Sequence, residues 1–395
     1  MKVVVTGGGS GGHITPILAV AHELKKQRTD VEIIYIGQKG DKLSDVPAAD
    51  PNIDAVYTIW AGKLRRYADE DWHQWLNVRT QSLNVRDVSR LARGVGQSYR
   101  LIRRLKPDVI FTRGGFVSVP VAIGGYLNRI PYITHDSDSV PSLANRLLAP
   151  HAAAHAVALP VEVYPYPHSK TTTVGVPVNA QYRLVTPQLQ LQYRKELALD
   201  KYEHIVFLTG GGNGSGILND AMVQNVRYLL GTYPGLAVVH VAGRSLEAET
   251  NQAYDELKLG AARQRVQVHG FLTGMVRYTG AADVVIARSG ATTLAELAIQ
   301  ERACIIVPAP QLVGGHQVKN AKIFARERAI VELTEDQLEQ PERLGRTIGE
   351  LLTDTKRRAE LSRNLGKYAH PQAAKELADL ILKVAGGEGY VRTQN

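Results

Sequence analysis

Two glycine-rich loops, each entered from an apolar strand and left through a helix, constrain this chain more than any other feature. The first reads Gly7-Gly8-Gly9-Ser10-Gly11-Gly12-His13, directly after Lys2-Val3-Val4-Val5-Thr6. Behind it Pro16, Ile17, Leu18, Val20, Ala21 and Leu24 have helical spacing. The second, Gly210-Gly211-Gly212-Asn213-Gly214-Ser215-Gly216, follows His204–Thr209 and precedes a helical run from Ile217 to Leu230. Glycine accepts positive φ and lets backbone come close to a ligand. The helix behind such a loop aims its free amides, and the positive end of its dipole, at the loop. Each loop is thus a cradle for an anion, above all a phosphate or diphosphate.

Two familiar nucleotide readings lose the residue that should complete them. Gly7-x-Gly9-x-x-Gly12 matches the dinucleotide fingerprint, which needs an acidic residue closing the second strand. That strand is Val31–Ile36; Gly37-Gln38 follow it, and Asp41 comes too late. The nucleoside-triphosphate loop needs Lys-Ser/Thr after its last glycine. His13-Ile14 stand there, and the second loop has no lysine either.

Strands are expected at 2–6, 31–36, 55–59, 108–112, 131–135 and 155–158, then at 204–209, 236–242, 265–269, 283–286, 304–307 and 329–333. Helical patterns separate most of them. Such alternation predicts an α/β fold, with a helix-covered parallel sheet built twice. The 395 residues allow two domains. Thr173–Val178, extended and carrying Gly and Pro, marks the junction, giving domains 1–177 and 178–369. The last helical pattern, Gln372–Val384, is assigned to the first domain (about 370–386), although periodicity alone does not place it.

The single cysteine, Cys304, lies in an apolar strand, which excludes a disulfide frame and a cysteine metal site. The chain opens straight into a core strand, so no signal peptide is expected, and it has no run of about eighteen apolar residues. A cytosolic or peripheral protein is expected. The formal net charge of +9 favours anionic partners.

A third anion seat follows the strand Asp283–Ala287. There Arg288-Ser289-Gly290-Ala291 open into a helix, Thr292-Thr293-Leu294-Ala295-Glu296. Glu296 lies three and four residues past Thr293 and Thr292, so the three share a face. Its carboxylate can accept hydrogen bonds from two ribose hydroxyls while the amides hold a diphosphate. Equally, it can do no more than complement the helix dipole.

The segments Gly8–Pro16, Arg288–Glu296 and His316-Gln317-Val318-Lys319-Asn320-Ala321, in this order, resemble those of the MurG-type glycosyltransferases. The resemblance runs from residue 3 to about 385. It takes in Arg103–Asp108, Gly114-Gly115-Phe116-Val117-Ser118 and Gly175-Val176-Pro177-Val178. It implies the GT-B fold: two facing Rossmann-like domains with parallel sheets and an interdomain cleft, acceptor in the first, nucleotide sugar held mainly by the second. It also implies the reaction, transfer of N-acetylglucosamine from UDP-N-acetylglucosamine to undecaprenyl-diphosphate-linked muramoyl pentapeptide (lipid I), giving lipid II in peptidoglycan synthesis.

By that resemblance Glu296 would hold the uridine ribose, and Ser289, Gly290, Ala291, Thr292 and Thr293 would seat the diphosphate. Phe271 and Leu272 would contact uracil through backbone groups, and Gln317 would read the sugar hydroxyls. Ser10, Gly11 and Gly12 would close over the donor from the first domain, with Gly212 and Asn213 of the second loop also on the donor side. His13 is the implied catalytic base. A helix N-terminus disfavours imidazolium, so its ring should stay neutral and able to take a proton; a plain capping role is the alternative. With helix termini stabilising the leaving UDP, no cofactor or metal is required.

Three departures from the family pattern stand out. Where the family reads His-Glu-Gln-Asn, this chain has His135-Asp136-Ser137-Asp138. Asn-Pro-Val-Arg becomes Val176-Pro177-Val178-Asn179, and Ser-Gln becomes Gly212-Asn213. Thr15, Asp136, Asp138 and Asn179 are assigned to the acceptor side, and the departures leave the acceptor open. Asp136-x-Asp138 also has the form of a metal motif of another glycosyltransferase fold, which leaves magnesium as an alternative.

All three tryptophans lie between Trp60 and Trp75, near Lys63, Arg65 and Arg66. Arg86, Arg90, Arg93, Arg100 and Arg104 then recur at helical spacing, opposite Val88, Leu91, Val95, Ile102 and Leu105, with no acidic partner evident. A solvated helix face is one reading. The other is an anionic membrane surface, with Trp72, Trp75, Arg65, Arg66, Arg90, Arg93 and Arg100 as contacts. No nucleic-acid module is present. The expected place is the cytoplasmic face of the inner membrane, beside other proteins of cell-wall synthesis. Rival readings are a related enzyme acting on another lipid, a UDP-N-acetylglucosamine 2-epimerase-type isomerase, and a sugar-nucleotide sensor.

Overall fold

A computed structural model describes residues 1–8, 11–41, 45–62, 78–312 and 315–387; the side chains of 11–13 and 78–85 lie outside the description. The chain folds as two units, Met1–Ala180 with the segment from His370 onward, and Gln181–Ala369.

The first unit is built on strands β1 (Lys2–Thr6), β2 (Glu32–Gln38), β3 (Ala55–Ile59), β4 (Val109–Thr112), β5 (Tyr132–Asp136), β6 (Ala154–Val157) and β7 (Thr171–Thr173). All pair in parallel, in the order β3-β2-β1-β4-β5-β6-β7. Helices cover both faces, so Val3, Val4 and Val5 are all fully buried, as an unbroken apolar run in a parallel sheet requires. The edge strand β7 was not expected. Its Thr-Thr-Thr run is partly exposed and carries no apolar signal, and only pairing with β6 reveals it.

The second unit has β8 (His204–Thr209), β9 (Leu236–Val241), β10 (Val266–His269), β11 (Val284–Ala287), β12 (Cys304–Ile306) and β13 (Val331–Glu332). These too are parallel, ordered β10-β9-β8-β11-β12-β13. In both sheets the order reverses beside the first strand: β1 lies between β2 and β4, β8 between β9 and β11. That switch point is where open α/β sheets receive ligands, and it is where each glycine loop leaves its strand.

The helix Gly11–Gln27 begins earlier than the sequence pattern predicts. Gly11, Gly12 and His13 therefore form its first turn rather than a loop before it. Pro16 sits inside the helix, and its nitrogen cannot donate to the Gly12 carbonyl. Against this helix lies Ala373–Ala385, whose Leu377, Ala378, Ile381 and Val384 share a core with Val3, Val5, Ile17 and Leu24. Burying each of the large side chains contributes about 1.5–3 kcal/mol.

The helix Val78–Leu105 departs from its expected faces. Its buried side is Asp87, Gly94, Ser98 and Ile102, whereas Val88 is 54% exposed. Small residues let the helix Ser118–Leu127 approach closely: a Cβ on Gly124 would lie 2.8 Å from the Ser98 Cβ. Apolar periodicity cannot register a seam made of glycine, serine and a carboxylate.

Candidate functional site

In the second unit β11 ends at Ala287, and the helix Ala291–Gln300 starts four residues later. Its N-cap is Gly290, and among the described residues no side chain caps the first amides. A Cβ on Gly290 would meet only the Thr293 Oγ1, at 3.9 Å, so the space before this helix start is open. Unsatisfied amides facing open space form an anion seat. Thr292 and Thr293 are half-buried on its rim.

Ser289, expected in the seat, has its side chain turned to a protein partner. It is fully buried and donates to the Gln317 carbonyl at 2.8 Å, while Asn320 Nδ2 donates to the Ser289 carbonyl at 3.2 Å. These bonds fasten the helix His316–Arg326 behind the seat. Gln317 Oε1 accepts from the Ala309 amide at 3.0 Å, so the oxygen is engaged and the NH2 group is the donating end of the side chain.

Glu296 is half-buried on the same helix. Burial pushes its carboxyl up to about 7, and a hydrogen bond from the Tyr182 hydroxyl draws it back down. Tyr182 was invisible to sequence reasoning: it lies more than a hundred residues away, in a stretch without helix or strand. Arg244 was missed likewise. Its guanidinium stands 4.4 Å from the ring centroid of Phe271, which is 51% exposed. Leu272, beside it, is half-buried.

Arg288 ties this seat to the second glycine loop. Its Nη2 donates to Ser215 Oγ at 2.7 Å, and its Nη1 pairs with Glu335 Oε1 at 2.7 Å, with both partners mostly buried. Ser215 caps the helix Gly216–Thr232 by accepting from the Leu218 amide. Within the loop the glycines divide into two kinds. Gly214 has φ +77, and a Cβ there would collide with the Ala242 carbonyl. Gly211 and Gly212 face open space. Gly212 and Asn213 are exposed. Beneath them runs a buried chain, Tyr254 hydroxyl to His240 Nδ1 (2.8 Å), His240 Nε2 to Asn219 Oδ1 (2.9 Å), and Asn219 Nδ2 to the Ala242 carbonyl (3.1 Å). Burial lowers His240 to about 4, so the ring is neutral and can bridge a donor and an acceptor.

In the first unit Gly7 and Gly8 are buried where β1 ends. The Tyr35 hydroxyl donates to the Gly7 carbonyl. The loop after β4 presses on Gly8 from the side: Gly114 and Gly115 both have positive φ (+84 and +82), and a Cβ on Gly115 would lie 3.1 Å from the Gly8 carbonyl. Ser10 lies outside the described residues, as does the His13 side chain. Thr15 is exposed in the second turn of the helix.

Asp136, at the end of β5, is 4% exposed. Its carboxylate accepts from the Ser142 amide at 3.0 Å and the Tyr166 hydroxyl at 2.7 Å, and burial holds its pKa above the usual value. The buried Arg113 guanidinium is charge-coupled to both Asp136 and Asp138. These protein partners give Asp136 a structural task, which argues against the Asp-x-Asp metal reading. Among the described residues no group of three His, Cys, Asp or Glu is placed to hold a metal ion. Asp138 is half-buried and Asn179 exposed.

Trp72, Trp75, Arg65 and Arg66 lie outside the described residues. The arginine stripe does have an acidic neighbour, contrary to expectation: Asp87 lies 3.8 Å from Arg86 and 3.7 Å from Arg90. Arg90 and Lys39 also stand over the Trp60 ring, 5.4 and 5.2 Å from its centroid. Trp60 is half-buried, while Arg93 and Arg100 are exposed. Among the described residues no helix is long and apolar enough to cross a membrane.

Residues 3–157 match the glycosyltransferase family 28 N-terminal domain, and residues 205–377 the family 28 C-terminal domain. Among curated relatives, the UDP-N-acetylglucosamine–N-acetylmuramyl-(pentapeptide) pyrophosphoryl-undecaprenol N-acetylglucosamine transferase of Natranaerobius thermophilus is 30% identical over 383 residues, covering 96% of this chain and 99% of the relative. The like-named transferase of Moorella thermoacetica is 30% identical over 390 residues, 97% of this chain and 99% of the relative. Among solved structures, MurG of Acinetobacter baumannii superposes with a TM-score of 0.71 at 22% identity, covering 97% of this chain and 99% of the other. A UDP-N-acetylglucosamine 2-epimerase gives 0.64 at 13%, covering 100% and 98%. At such identities the structural likenesses speak for the fold alone, the GT-B class.

Proposed function

The chain belongs to glycosyltransferase family 28, and from that premise we propose that it transfers N-acetylglucosamine from UDP-N-acetylglucosamine to the undecaprenyl-diphosphate-linked muramoyl pentapeptide, with inversion. One observation carries the reading. Relatives named for this reaction align with almost the whole chain, and the segment they share places an uncapped helix start before an open space with a carboxyl on the same helix.

In this reading the amides of Ala291, Thr292 and Thr293, helped by Gly290, hold the donor diphosphate, and Glu296 accepts from the ribose hydroxyls. The backbone of Phe271 and Leu272 meets the uracil, and the Gln317 NH2 donates to a sugar hydroxyl. Ser10, Gly11 and Gly12 approach the same donor, and Gly212 and Asn213 lie on the donor side. His13 removes the proton of the acceptor hydroxyl as that oxygen attacks the anomeric carbon. The bond from that carbon to the diphosphate oxygen breaks, and UDP leaves with the electron pair, stabilised by helix-terminal amides. A positive helix start keeps imidazolium disfavoured, which suits a base. Thr15, Asp136, Asp138 and Asn179 belong to the acceptor side, Asp136 by shaping rather than by contact. An anionic membrane surface, met by the exposed Arg93 and Arg100 with Arg65, Arg66, Trp72 and Trp75, brings the enzyme to its lipid at the cytoplasmic face.

The test is transfer of radiolabel from UDP-N-acetylglucosamine to lipid I by the intact chain in detergent or vesicles. Label in the lipid fraction is the expected result. Label recovered only as free sugar or epimer overturns the assignment in favour of the isomerase, and label on a different lipid shifts the acceptor.

A further inference from the structure

We propose that Tyr182 is a displaceable stand-in for ribose: its hydroxyl occupies the Glu296 carboxyl in the empty seat and gives way when a uridine nucleotide arrives. The proposal rests on the reading of Glu296 as the ribose acceptor, and it adds a competitor built into the chain.

Tyr182 donates a hydrogen bond to the Glu296 side chain. A phenolic hydroxyl and a ribose hydroxyl offer a carboxylate the same thing, one O–H on a carbon frame. A carboxylate has two oxygens, and a vicinal diol in register engages both, so a bound ribose and the Tyr182 hydroxyl must share one oxygen of a half-buried carboxylate, and there they compete. Position favours release. Tyr182 is the second residue of its unit, in a stretch without helix or strand that runs to Thr186, where the helix Pro187–Glu196 begins. Arg183 and Leu184 beside it are exposed, and the first buried anchor is Val185. The ring can therefore turn away without breaking a backbone ladder.

The hydroxyl also gives the carboxyl a partner while the seat is empty. A half-buried carboxyl without one is costly, and this hydrogen bond pulls against the protonation that burial favours. Tyr182 thus holds Glu296 ready at the expense of competing with the ligand.

The experiment is calorimetric titration of UDP, and of 2′,3′-dideoxyuridine diphosphate, into the wild type, Tyr182→Phe, Glu296→Gln and the double variant, with thermal unfolding as the check that each is folded. Tyr182→Phe should tighten UDP about three- to tenfold, the scale of one hydrogen bond. The gain should vanish for the dideoxy ligand and in the Glu296→Gln background. Unchanged or weaker UDP binding by Tyr182→Phe overturns the proposal, and so does an equal gain for the dideoxy ligand. If Glu296→Gln binds UDP as the wild type does, the ribose role of Glu296 itself falls, which separates that failure from the failure of Tyr182.

Discussion

The two glycine loops leave equivalent strands of two similar sheets, yet they are built to different ends. The second is closed from below. Gly214 is wedged against the Ala242 carbonyl, Ser215 caps its helix, and the Tyr254–His240–Asn219 chain fills the floor. Gly211, Gly212 and Gly216 look outward. In the first, Gly11, Gly12 and His13 are already helix, and Pro16 denies the Gly12 carbonyl its intrahelical donor. A loop of the same composition serves as a rigid floor in one unit and, in our reading, as a chemical edge in the other. Residue type at the helix start separates the two: serine caps the second, and histidine, the base we propose, stands in the first.

The largest effect should fall on His13. His13→Ala is expected to lower kcat by about 10²–10⁴-fold, the usual contribution of a general base, with little change in donor KM. Full activity in this variant, measured as lipid-linked label, would erase the chemical half of the comparison and leave two structural loops.

Arg288 should come next, because it stands just before the Gly290 helix start and bonds to Ser215 of the second loop. Arg288→Ala leaves Glu335 buried without its cation and Ser215 without its donor. The expected loss is about 3 kcal/mol of stability in urea unfolding, with a raised donor KM. Arg288→Lys should recover only part of it, since one ammonium cannot reproduce a guanidinium reaching two partners. Full recovery by lysine would mean that charge alone matters there.

The same contrast sets what could be foreseen from the residues alone. The alternation of strands and helices, both loops and the Gly290 seat are written in local composition, because glycine runs and apolar periods are properties of neighbours in sequence. The Thr171–Thr173 strand was not legible, since edge pairing lends no apolar signature. Nor was the direction of a side chain. Ser289 reads as a ligand group yet points to Gln317, and the stripe of arginines conceals Asp87. Tyr182 reaches Glu296, and Arg244 the Phe271 ring, from other elements, and nothing near them in sequence announces it.

Within the second loop, Gly214→Ala should cost about 2 kcal/mol or more, from left-handed backbone and collision with the Ala242 carbonyl. Gly212→Ala, in open space, should leave the melting temperature unchanged. If steric crowding by the donor is what the open glycines avoid, Gly212→Ala will still raise the donor KM. Equal melting temperatures for the two variants would refute the division into packed and open glycines.

The smallest effect is set by pH and belongs to the second unit alone. The Glu296 carboxyl, raised by burial from 4.5 to about 7, is partly protonated near neutrality in the empty protein. A protonated carboxyl has lost half its capacity to accept from a diol, so UDP affinity should fall by about tenfold between pH 8 and pH 6. Stability runs the other way. Between 4.5 and 7 the folded chain keeps a proton that the unfolded chain has released, so this group's contribution declines as pH rises through that window and is level above it. Affinity should therefore rise and stability fall with pH where the two ranges overlap, from about pH 6 to 7, and Glu296→Gln should flatten both. A UDP titration whose pH dependence survives that substitution would place the titrating group elsewhere in the seat.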